Sequence, residues 1–68
     1  MNMGFNEIIK DIMIENNLTQ TEMAKILGVN QTTVGQWLLK RKKPGYDSIM
    51  AIYKNFGVTP NELFNIDK

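Results

Sequence analysis

Sixty-eight residues, 43% hydrophobic and 22% charged, suit one small folded domain and argue against disorder. Without cysteine or histidine, the chain offers no disulfide framework, no thiolate or imidazole metal site, and not the usual general base. The net charge of +1 hides an uneven distribution: Lys40, Arg41, Lys42 and Lys43 are consecutive, and no acid occurs between Glu22 and Asp47.

At the N-terminus, Phe5, Ile8, Ile9, Ile12 and Met13 fit the i, i+3, i+4, i+7, i+8 template of an amphipathic helix. Asn16-Asn17 ends it. Thr19 and Glu22 form a T-x-x-E capping box that starts a second helix burying Met23, Ala24 and Leu27. Gly28 closes that helix in the left-handed conformation glycine adopts at no steric cost.

Asn30 is placed to cap a third helix over 31–39. Pro44-Gly45 marks the next boundary. Ile49, Ile52, Tyr53 and Phe56 repeat the helical spacing in a fourth helix, which Gly57 terminates. Thr59-Pro60-Asn61-Glu62 is a second capping box with proline at the first helical position, opening a short fifth helix with Leu63 and Phe64. No strand pattern competes. The fold class expected is all-α, five helices in a single domain over residues 1–68, with loops of two to six residues.

No apolar run reaches the ~20 residues that span a bilayer, and MNMGFNEIIKD has acids where a signal peptide would be basic. A cytoplasmic location is the resulting expectation, with no membrane partner. No cofactor or small-molecule ligand is expected, nor an enzyme: no nucleophile–base pair or clustered carboxylates can be assembled from these residues.

The third helix has two unlike faces. At 100° per residue Val34, Trp37 and Leu38 share one side, which must seek the core. Trp37 is therefore assigned to packing and not to base stacking. Gln31, Thr32, Gly35 and Gln36 share a roughly opposing side. This side is either an ordinary solvated face or a reader of DNA, since paired amides and a threonine methyl match base edges in the major groove. Two features favour the reader. A solvated face would normally carry Lys and Glu in helix-supporting pairs, and this one is uncharged. The cationic run 40–43 also begins where the helix ends, where a phosphate backbone would flank the groove.

Ala24, Gly28 and Val34, with apolar Met23, Leu27, Val29 and Trp37 around them, fit two helices crossing steeply through a short turn. The pattern resembles the helix-turn-helix of the phage-repressor and Cro-like (lambda repressor-like) family. The likeness runs from Leu18-Thr19-Gln20 through Pro44 to Gly57-Val58-Thr59 and Glu62-Leu63. It implies a helix-turn-helix at about residues 20–39 whose third helix enters the major groove by its N-terminal half. Gln31, Thr32 and Gln36 would then read bases, with Gly35 close to the DNA. Gln20, Asn30, Lys40, Arg41, Lys42 and Lys43 would hold phosphates, helped by amides near Gly45 and Tyr46.

The chain departs from this family at three places. Position 35 commonly carries serine or a larger polar residue, and Gly35 either permits closer approach or is drift. Members often have an arginine–glutamate ion pair at positions 13 and 38; here Met13 and Leu38 are expected to touch instead. Glycine is favoured at position 40, so Lys40 must either accept a left-handed backbone or extend the helix.

The resemblance implies a sequence-specific regulator of phage or bacterial type, binding a double-stranded operator and repressing by occlusion. A homodimer would place two reading helices about 34 Å apart. Phe64, Ile66 or Leu39 are its candidate contacts, although core packing suits Phe64 better. An antitoxin that binds both DNA and a toxin, and an interaction module that has lost DNA binding, are the alternatives.

Overall fold

The computed structural model describes residues 4–64, with side chains to Leu63. Five helices follow in order: α1 Phe5–Glu15, α2 Gln20–Leu27, α3 Gln31–Leu38, α4 Tyr46–Phe56 and α5 Pro60–Phe64. The third ends one residue earlier than its spacing indicates, and the loop to α4 is correspondingly longer.

Local chemistry sets most helix ends. Glu22 N donates to Thr19 Oγ1 at 3.1 Å, and Thr19 N donates to Glu22 Oε1 at 2.9 Å, completing the box at α2. The Thr59–Glu62 box does the same at α5, with N–H···O distances of 3.2 and 2.8 Å. At α3 the expected side-chain cap is not made. Asn30 occupies the N-cap position with extended backbone, but its amide accepts no bond from the helix.

Three helices end in the same way. The residue after the last turn adopts positive φ, and its own N–H and that of the next residue reach back to the orphan carbonyls. Asn17 (φ 55°), Gly28 (φ 72°) and Lys40 (φ 62°) hold the left-handed position after α1, α2 and α3. The longer closing bonds are Leu18 N to Met13 O at 2.8 Å, Val29 N to Ala24 O at 3.0 Å and Arg41 N to Gln36 O at 2.8 Å. Lys40 thus takes the first of its two alternatives.

The core is built from the expected faces except on α4, where Tyr53 is 47% exposed and Ser48 is buried in its place. Ile9, Met23, Val34, Ile52 and Leu63 have no exposed surface, and Trp37 is 2% exposed. Burying such side chains contributes about 1.5–3 kcal/mol each. Helix α2 packs chiefly on α3, α1 on α3, α4 on α2, and α5 touches both α1 and α4. Ala24, 3% exposed, is buried in α2, the helix that packs most closely on α3. Pro44 is buried and anchors the loop that follows the cationic run.

Met13 and Leu38 line one open groove between α1 and α3, together with Lys10, Ile14, Asn17, Leu18 and Thr19. An apolar pair therefore lines this groove between the first and third helices. Phe64's side chain and Ile66 lie outside the described residues.

Candidate nucleic-acid interface

Burial of Val34 and Trp37 fixes the rotation of α3 about its own axis and turns the opposite face outward. Gln31 and Thr32 are exposed there; Gly35 and Gln36 are half-buried. With Gln20, Leu39 and Arg41 they line a shallow hollow of about 380 Å³. Six of the ten residues singled out from the sequence thus converge on one surface. Asn30, Lys40, Lys42 and Lys43 do not line the hollow, although all four are exposed.

Three details inside the hollow constrain its chemistry. Thr21 Oγ1 donates to Gln31 Oε1 at 2.9 Å, a bridge from the first turn of α2 to the first turn of α3. The bridge orients the Gln31 amide, leaving its NH₂ and one oxygen lone pair available. A Cβ built on Gly35 would stand 3.3 Å from Gln20 Oε1. The bare backbone at position 35 is therefore what lets Gln20 lie across α3. Leu39 is 67% exposed at the end of the hollow, an apolar tip among amides.

The role of Thr21 was not legible in the sequence. Nothing in the order of residues joins Thr21 to a partner ten positions away. Leu39, a candidate dimer contact, shares a surface with Gln31 and Gln36.

The cationic run is divided by the backbone. The left-handed turn at Lys40 separates its side chain from Arg41, which reaches the hollow. The Lys40 stem lies near the start of α1, its Cε 3.8 Å from where a Cβ on Gly4 would be. Lys42 and Lys43 stay exposed on the way to buried Pro44. Among the described residues no helix is long and apolar enough to cross a membrane, and no group of acidic side chains could hold a metal ion.

Two helices joined by a glycine-containing turn, the first bracing the second and the second showing a polar face, define a helix-turn-helix domain. Comparison with known proteins agrees. The model of the family described as Helix-turn-helix matches residues 9–63, and the chain belongs to that family. It is 35% identical over 63 residues to the HTH-type transcriptional activator BcrR of Enterococcus faecalis, covering 93% of this chain and 31% of that protein. A crystal structure of a transcriptional regulator from Listeria innocua superposes with a TM-score of 0.86 at 20% identity. The match covers 100% of this chain and 64% of that one. The chain thus spans about a third of the curated relative's length.

Proposed function

We propose that this chain binds double-stranded DNA with sequence preference and regulates transcription from the operator it occupies. The observation that carries the reading is the hollow on α3, where Gln20, Gln31, Thr32, Gly35, Gln36, Leu39 and Arg41 meet beside an exposed cationic loop. Membership of the Helix-turn-helix family supports it.

In this reading α3 lies in the major groove. Gln31 and Gln36 hold base edges, an amide being able to grip adenine through N6 and N7. Thr32 and Leu39 offer apolar contact to thymine methyls. Thr21 positions Gln31 without reading a base. Gln20 and Asn30 hold phosphates, as does the run Lys40, Arg41, Lys42 and Lys43, with Arg41 nearest the groove edge. Asn30's uncommitted amide suits that role. Two copies on a two-fold operator raise affinity and read two half-sites.

Repression by occlusion follows from the phage-repressor resemblance. The E. faecalis relative, an activator by name, supports activation as a second reading. A reporter with the selected operator placed across or upstream of a promoter decides the sign.

Sites selected from random duplexes supply the DNA. Gln36→Ala then relaxes preference at particular bases, at a cost of about 1–3 kcal/mol on the preferred site. Lys42→Ala weakens every sequence alike and lowers the slope of log K against log salt by about 1. Identical behaviour of the two variants would refute the division into base-reading and phosphate-holding residues.

A further inference from the structure

Helix α4 carries an apolar stripe that, among the described residues, no other helix covers. Tyr46 is 76% exposed, Met50 38% and Tyr53 47%. At 100° per residue these three fall within about 60° of one another, and their centre is well over 100° from buried Ile52. The stripe therefore faces away from the core along two turns of helix. Asp47 and Lys54, both exposed, lie along a single edge of it. They are separated by seven residues, about 10 Å of rise.

We propose that this stripe is the surface on which a second copy of the chain docks, with the two α4 helices antiparallel about a two-fold axis close to Met50. The charges select that arrangement. A two-fold axis perpendicular to both helices reverses their direction and keeps the charged edge of each on the same side. Asp47 of one copy then lies beside Lys54 of the other, and the second pair is made by symmetry. A parallel two-fold puts the two charged edges on opposite sides and pairs neither. The antiparallel setting also brings each helix's N-terminal end against the other's C-terminal end, the favourable alignment of their dipoles.

Three side chains from each copy bury far less than the ~800 Å² per partner of a standard interface. The association is accordingly weak in free solution, with a dissociation constant of roughly 0.1–1 mM. This names a surface for the dimer in the functional reading above, and its test uses no DNA. Failure of DNA binding would leave the test unaffected.

Sedimentation equilibrium on the intact chain supplies the test, with circular dichroism verifying that each variant is helical. The wild-type average mass rises toward that of a dimer as concentration approaches about 1 mM. Asp47→Lys and Lys54→Asp each remain monomeric, because each self-pair sets two like charges together. Mixed in equal amounts they associate at least as well as wild type, since the mixed pair restores both attractions. Met50→Lys, a change outside the first turn, abolishes association on its own. A wild-type chain that stays monomeric at 1 mM overturns the proposal. So does a mixture that stays monomeric, or single charge variants that associate like wild type.

Discussion

Glycine 35 tests whether a residue that weakens its own helix is there for its neighbour. In a helix interior glycine costs about 1 kcal/mol relative to alanine. The group that meets a new Cβ is the amide end of Gln20, at 3.3 Å, which can shift by a few tenths of an ångström. Gly35→Ala should therefore stabilise the fold by about 0.5–1 kcal/mol, read as a higher urea midpoint at unchanged m. The same methyl displaces Gln20 and partly fills the hollow, so DNA affinity should fall severalfold. A variant that is more stable and binds equally well would mean that the gap at position 35 serves no contact. Thr21 gives a second reading at this scale. Its hydroxyl holds Gln31 Oε1 at 2.9 Å. Thr21→Val keeps the shape and removes the bond, so preference at the base proposed for Gln31 should weaken while the salt slope stays unchanged. Duplex titrations at several salt concentrations separate the two effects.

Among the elements, what was legible in the sequence divides along the range of the interaction. The capping boxes Thr19–Glu22 and Thr59–Glu62 could be read because both partners lie within one turn, and both are made. The face of α3 could be read because Val34 and Trp37 have only one place to go. The contacts that shape the hollow were not legible. The Thr21–Gln31 bridge, the seat of Gln20 over Gly35 and the position of Leu39 all depend on how α2 crosses α3. Asn30 shows the limit from the other side: its residue type suits a cap, yet the side chain makes none. The end of α3 was legible only as a pair of alternatives, because hydrogen bonds and sterics oppose each other there. Arg41 N closes on Gln36 O at 2.8 Å, but Lys40 must hold φ at 62° for it to do so. A left-handed backbone costs a non-glycine residue about 1–2 kcal/mol. Part of that gain is returned by the greater freedom of an unfolded glycine. Lys40→Gly should then raise stability by ~0.5–1 kcal/mol in denaturant unfolding. Its effect on DNA should be a small, sequence-independent loss. A destabilised Lys40→Gly would show that the lysine stem beside the start of α1 matters more than the backbone strain.

For the molecule as a whole, α1 contributes nothing to the hollow, yet it holds α3 against the remaining core. Met13, 9% exposed, and half-buried Leu38 line the groove between the two helices, and they are proposed as the contact that sets this tie. Two apolar side chains need no exact geometry there, whereas an ion pair must recover the desolvation of both charges. Met13→Arg alone places a cation among apolar neighbours and should cost about 3–5 kcal/mol, moderated by the groove's access to water. A domain of this length has roughly 3–10 kcal/mol in total, so the variant should lose about a third of its stability or more, read as a lower urea midpoint. Adding Leu38→Glu supplies the missing partner. The double variant should regain most of the loss, with a favourable coupling energy above ~1 kcal/mol in a double-mutant cycle by urea unfolding. Its DNA affinity should return in step, because α3 is then seated as before. Additive costs would mean that positions 13 and 38 do not meet, and that some other contact sets the angle at which α3 presents its amides.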